Sequence, residues 1–206
     1  MAFFILLVIM GLVGFPGARA QAFSTGPPDG HAGNPPLNLT CVACHLSFPL
    51  NSGDGDLRLL NLPETYLPGQ SYDLIVELLD PGQSRWGFEL TVLDDANQAG
   101  GDLVVTAPDS SQLSDNAGTT PDYIKHTSTG TRPGTAGPRR WPFRWIAPSV
   151  PAVTFYFAGN AANNNRFENG DFIYARTERI ALTSPVEPST WGRVKAVWAG
   201  AIGRIE

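Results

Sequence analysis

The chain reads as all-β, an antiparallel β-sandwich, and three observations carry that expectation. Its 206 residues include 22 glycines and 18 prolines, a density of turn residues that favours many short strands over a helical bundle. Short apolar runs recur at regular intervals between Pro, Gly, Asn and Asp, as at Pro68-Gly69, Asp80-Pro81-Gly82 and Asn169-Gly170. Within the runs the pattern has period two. Tyr72, Leu74, Val76 and Leu78 alternate with Asp73 and Glu77, and Phe88, Leu90 and Val92 alternate with Glu89 and Thr91, which places one face inward and one outward.

The length is that of one sizeable domain with its own core. The formal net charge is −5 and no basic run occurs, so nucleic acid is excluded as an expected partner. At the N-terminus, the apolar run from Phe3 to Phe15 is followed by Pro16 and Ala18-Arg19-Ala20. It is shorter than the roughly 20 residues that span a bilayer and ends in a small-x-small cleavage pattern. Residues 1–20 are therefore expected to be a secretory signal cut after Ala20, or an uncleaved anchor, since no Lys or Arg precedes the run. Either way the remainder is expected to be exported, periplasmic or extracellular. From Gln21 to Asn38 the sequence is rich in Gly, Pro and Asn without periodicity, which predicts an extended arm.

The arm leads into Cys41-Val42-Ala43-Cys44-His45, which contains both cysteines of the chain. This spacing is the attachment signal for a c-type haem. Two thiols can add across the two porphyrin vinyl groups, and the adjacent imidazole is placed to ligate the iron from one side. Other chemistries use the same residues. A redox dithiol expects a βαβ context, which the downstream sequence lacks. Structural zinc needs a fourth ligand, for which His31 or His126 would serve. A small disulfide would suit an exported protein.

Beyond the motif, Asn51-Ser52-Gly53-Asp54-Gly55-Asp56 resembles a calcium loop but lacks its alternating acids and closing glutamate, and reads as a linker. Strands are then predicted at 57–62, 72–79, 87–93, 102–106, 123–128, 143–146, 153–157 and 172–182. Trp86, Trp141, Trp145, Phe155 and Phe157 are the bulky core candidates, each able to bury on the order of 150–250 Å². No nucleotide-binding glycine motif, internal repeat or Ser-His-Asp arrangement is legible.

Several motifs occur together in order: Leu62-Pro63 with Tyr66-x-Pro68-Gly69-Gln70-x-Tyr72; Gly87-Phe88-x-Leu90-Thr91; Tyr123-x-x-His126-Thr127; Phe143-x-Trp145-x-Ala147-Pro148; and Val153-Thr154-Phe155-Tyr156 through Ala158-Gly159-Asn160-Ala161-Ala162-Asn163. With the Cys41-x-x-Cys44-His45 motif, this stretch resembles the bacterial exported domain labelled choice-of-anchor V, which is related to the Reeler domain of reelin-like proteins. The resemblance implies an immunoglobulin-like, Reeler-like β-sandwich with a haem-type motif near its start, and names no reaction. Members of that family are attached to the envelope by varied C-terminal devices. This chain departs from them in having neither a hydrophobic C-terminal span nor a basic tail.

After Pro185 and Pro188, Ser189 or Thr190 can cap a helix running toward Ile205. Trp191, Val194, Trp198, Ala201, Ile202 and Ile205 would share about 100° of arc, with Arg193 and Arg204 pointing away. Gly192, Gly200 and Gly203 weaken such a helix by roughly 1 kcal/mol each relative to alanine, so it needs a surface, either the sandwich or a membrane or partner complex. The expected organisation is a signal at 1–20, an arm with the haem motif at 21–56, a sandwich at 57–184 and an amphipathic helix at 185–206.

These readings converge on an exported monohaem c-type cytochrome that transfers electrons to a redox protein partner, more an electron carrier than a catalyst. The alternative is a structural or adhesive envelope module whose motif holds a disulfide or metal, or an extrinsic subunit of a membrane complex. The iron needs a second axial ligand, and cleavage after Ala20 would remove both methionines, Met1 and Met10. His31 lies in the flexible arm, and fixing it costs roughly 1–2 kcal/mol of entropy per ordered residue. His126 lies in a strand signal and matches the resembled motif. His45 with His126 is therefore the expected pair, His31 the runner-up. Related Reeler domains without the haem motif carry a similar histidine, which leaves a purely structural role for His126 open.

Overall fold

The structure, a computed structural model, describes residues 23–114 and 121–183. The signal segment 1–20 and the amphipathic segment 185–206 lie outside the described residues. Ten strands follow one another: β1 (Asp56–Leu60), β2 (Thr65–Tyr66), β3 (Ser71–Leu79), β4 (Arg85–Asp94), β5 (Asp102–Val105), β6 (Ser111–Ser114), β7 (Tyr123–His126), β8 (Arg139–Ile146), β9 (Ala152–Ala162) and β10 (Phe172–Leu182). They form two sheets, ordered β1-β3-β8-β5 and β2-β10-β9-β4-β7-β6. Every pairing is antiparallel except β2 with β10. The chain is thus a β-sandwich, as its turn density and period-two runs predict.

Facing side chains of the two sheets make the core. β8 turns Trp141, Phe143 and Trp145 inward and leaves Arg140 and Arg144 outside. Against it lie Phe88 of β4, 4.5 Å from Trp141 between ring centres, and Phe155 of β9, 5.1 Å from Trp145. Burying three indoles is tolerable because each N–H finds a carbonyl: Trp86 on Thr135 at 2.9 Å, Trp141 on Gly130 at 3.3 Å and Trp145 on Gly100 at 2.8 Å. Pro142 interrupts no ladder on the β5 side, because β5 reaches only as far as Phe143.

Two strands escape the sequence pattern. β2 is two residues long, and β6 is Ser-Gln-Leu-Ser, which carries one apolar residue. Both lie at the ends of the six-stranded sheet and are too short to show a period-two pattern, although Tyr66 and Ser111 are buried.

A larger difference concerns β4. Glu89 and Thr91 are expected on a solvated face, yet both are fully buried. For Glu89 the reason is the arm, which lies across the outer face of the six-stranded sheet, while Thr91 donates its hydroxyl to the Asp122 carbonyl at 2.8 Å. The His31 amide donates to Glu89 Oε2 at 2.5 Å, Asn34 Nδ2 donates to the Tyr123 hydroxyl at 3.0 Å, and Lys125 Nζ pairs with Asp29 at 2.6 Å. Gln112 Nε2 also donates to the Thr25 carbonyl. The Asn51–Asp56 linker passes tightly over β10: Gly55 donates its amide to the Tyr174 hydroxyl at 2.9 Å, and a Cβ at Gly55 would run into the Leu79 carbonyl.

Candidate functional site

The Cys41-x-x-Cys44-His45 motif starts on a turn of 3₁₀ helix at Cys41–Ala43, with the Thr40 hydroxyl accepting from the Val42 amide at 3.3 Å. The His45 amide closes onto the Cys41 carbonyl at 3.0 Å. This tight turn starts on the arm and lays His45 on the outer face of β9 and the start of β10. There its Nδ1 lies 2.7 Å from Asp171 Oδ2, while Asn160 Nδ2 lies 3.1 Å from its Nε2. Asp171 is itself held, its Oδ1 accepting the Asn163 amide at 3.1 Å.

A pocket of about 290 Å³ opens at this place. Its wall includes Cys41, Cys44 and His45 from the motif, His31 from the arm and His126 from β7. All five residues singled out in the sequence therefore line one pocket, although they span 31 to 126 in the chain. Arg85, Arg166 and Phe167 complete parts of the rim.

His126 sits where the β4–β7 ladder ends. The register stops at Glu89 opposite Lys125, and the imidazole takes over from the backbone: Nδ1 lies 3.0 Å from the Phe88 amide and 3.1 Å from its carbonyl. Nε2 faces the Phe23 carbonyl at 3.3 Å. Burial holds its pKa down at about 4, so the ring is neutral at physiological pH, the form that ligates metals. The ring lies over Gly87, where an added Cβ would be 2.9 Å from Cε1. Gly87 is the cross-strand partner of Asn160, the residue that meets His45. Neighbouring positions of β4 and β9 thus carry His126 and His45.

His31 is placed differently. Its backbone is tied to Glu89, and its Nδ1 is 2.9 Å from the Pro28 carbonyl on the same arm. A proton on Nδ1 leaves Nε2 as a free donor pair.

The thiols differ from those of a redox dithiol. Burial, and then the nearby Glu89 carboxylate, push Cys41 up to about 12, whereas attacking thiols are held low by cationic surroundings. Both cysteines are free. Among the described residues no three His, Cys, Asp or Glu side chains converge on a common point as an ion's ligands must. Glu89 is a residue the sequence pattern does not flag: burial pushes its carboxyl up to about 8, and its Oε1 has no partner. Asp171, Asn160 and Arg85 are likewise invisible in sequence, because only the folded register brings them to the motif.

No protein-family model matches the chain. No curated protein matches it either. Solved structures similar to it include the reeler domain of human F-spondin, at 20% identity and TM-score 0.45 over 66% of this chain and 94% of that one. A second structure of the F-spondin reelin-N domain has 20% identity and TM-score 0.44 over 69% and 97% of the two chains. A cohesin module from a Clostridium perfringens family 33 glycoside hydrolase has 8% identity and TM-score 0.41 over 63% and 96%.

Proposed function

We propose that this chain is an exported monohaem c-type cytochrome of the choice-of-anchor V type, which passes single electrons to a redox protein partner. The observation that carries this reading is the convergence of both cysteines and all three histidines on one pocket. The donor set fits the group. Cys41 and Cys44 would hold it by thioethers and His45 would ligate its iron. His126 would supply a second nitrogen to the iron, its ring lying over Gly87 of β4, the cross-strand partner of the Asn160 that meets His45. With the Phe88 amide donating to Nδ1 and Nε2 facing the Phe23 carbonyl, the ring's proton sits on Nε2; for His126 to ligate through Nε2 the proton would move to Nδ1, facing the Phe88 carbonyl, and both the Phe88 amide and the Phe23 carbonyl would give way. Arg85 and Arg166, which have no carboxylate partner among the described residues, line the same pocket and suit the propionates. When bound, haem supplies a one-electron ferric/ferrous couple, and two nitrogen ligands would keep its potential below that of a His/Met site.

The surroundings of the motif support contact with a partner. Leu46, just after the motif, is 73% exposed, and Phe167, which lines the pocket, is 58% exposed, exposed apolar groups of the sort that occur at docking sites. The segment from 185 onward is the further element we assign to a membrane surface or complex.

The test is to express the full chain in a host with haem-attachment machinery and record its absorption spectrum and intact mass. The expected product is coloured and heavier by one covalent haem, and Cys41→Ala/Cys44→Ala loses haem on acid extraction. His126→Ala should turn a low-spin ferric signal high-spin, with His31→Ala unchanged. The reverse pattern would make His31 the ligand. A colourless wild type without the added mass returns the chain to a structural or adhesive envelope module.

A further inference from the structure

We propose that Asp171 is the positioning residue for His45: it fixes the imidazole proton on Nδ1, presents the Nε2 lone pair to the pocket, and through its charge lowers the potential of the bound haem iron. This rests on the reading that Cys41, Cys44 and His45 hold haem.

The tautomer follows from what the neighbouring carboxylate can do. An ionised carboxylate only accepts, so Asp171 Oδ2, 2.7 Å from Nδ1, requires the proton there. Asn160 Nδ2 lies nearly equidistant from the two ring nitrogens, 3.1 Å from Nε2 and 3.3 Å from Nδ1, and so sits on neither in-plane lone pair. The Asp171 contact alone selects the tautomer, the one that ligates through Nε2.

The carboxylate is also fixed. Asp171 is 1% exposed and accepts the Asn163 amide through its other oxygen. It lies between Gly170 and the start of β10, and the Gly170 amide donates to Ser47 Oγ at 2.8 Å, two residues beyond His45. The segments that carry the motif and its carboxylate are therefore tied by a second hydrogen bond besides the side-chain pair, and turning the ring would break the Nδ1 contact with Asp171. Meanwhile Asn160 Oδ1 is buried without a partner. Its amide group is thus held only at the nitrogen, and is free to swing aside when Nε2 is taken by a stronger electron acceptor.

A buried carboxylate on Nδ1–H gives a ligating imidazole more imidazolate character, which makes it a stronger donor and favours the ferric state. Asparagine at 171 still offers Nδ1–H an acceptor oxygen but removes the charge.

The experiment uses the full chain in two forms. In haem-free protein, ¹⁵N NMR of the His45 ring should show Nδ1 protonated and Nε2 bare, and Asp171→Asn should mix the tautomers. In haem-loaded protein, Asp171→Asn should keep one covalent haem by mass and remain low-spin, yet show a raised midpoint potential, while Asp171→Glu stays near wild type. An unchanged or lowered potential in loaded Asp171→Asn overturns the proposal, even if its melting temperature falls, as does a wild-type ring protonated on Nε2 or on both nitrogens. Wild type without covalent haem but with the expected tautomer would overturn the haem reading and the potential claim built on it, and so separates the two failures.

Discussion

Glu89 and His126 are buried titratable groups whose folded pKa values move in opposite senses, and their effects on stability have opposite signs. For Glu89, burial raises the folded value to about 8 from an ordinary 4.5. Its contribution is complete below pH 4.5 and is lost as pH rises through 8, because the unfolded chain ionises first. For His126, burial lowers the folded value to about 4 from 6.5. Its contribution is complete above pH 6.5 and is lost as pH falls toward 4, because the unfolded chain takes up its proton first. Glu89→Gln keeps an acceptor for the His31 amide and removes the charge. In haem-free protein, urea unfolding from pH 4.5 to 9 should show the variant gaining on wild type as pH rises, on the order of a few kcal/mol by pH 9. Parallel curves for the two proteins would mean that Glu89 ionises normally in the fold.

The arm is the element that turns a sandwich into a pocket. A run this rich in proline and glycine has no hydrophobic face to fold on, so its order comes from polar attachments to β4, β6 and β7. Asn34 is one of these, 5% exposed and bonded to the Tyr123 hydroxyl at 3.0 Å. Asn34→Ala leaves that hydroxyl without its donor in a buried seam. The expected cost is about 1–3 kcal/mol, with faster proteolysis inside the arm and an unchanged core signal from the tryptophans. Resistance of the variant to proteolysis equal to wild type would show that the attachments to Glu89, Gln112, Lys125 and His126 retain the arm without Asn34. The same element explains why the alternation of β4 misleads. Glu89 and Thr91 follow the polar half of a period-two pattern, and the pattern assigns them correctly to the outer face. It is silent on a cover over Glu89 supplied by residues more than fifty positions earlier.

For the molecule as a whole, the two sheets are held together around Trp145. Its ring lies 5.3 Å from Tyr66, 5.5 Å from Tyr72 and 5.1 Å from Phe155, and its N–H is satisfied by Gly100. Trp145→Ala should cost about 3–5 kcal/mol, a large share of the usual stability of about 5–15 kcal/mol, and should lower the melting temperature steeply. Trp145→Phe should keep the fold with a smaller loss, since it gives up the indole hydrogen bond but fills most of the volume. Equal melting temperatures for Trp145→Ala and wild type would remove this residue from the centre of the core.

The sandwich was legible because local alternation and turn residues are properties of a few consecutive positions: the inward set Trp141, Phe143 and Trp145 is visible from spacing alone. The Cys41-x-x-Cys44-His45 motif was legible for the same reason, its chemistry being confined to five neighbouring residues. Long-range assembly lay beyond that reach. That His126 lies over Gly87, that Gly87 is paired with Asn160, and that Asp171 meets Nδ1 of His45 all depend on strand register and on the arm's path. Register is fixed by packing across the whole sheet and not by any local run, so those partners had no sequence signal to announce them. The pocket therefore belongs to the tertiary structure, while the fold around it and the motif that faces it were already written in short stretches of the chain.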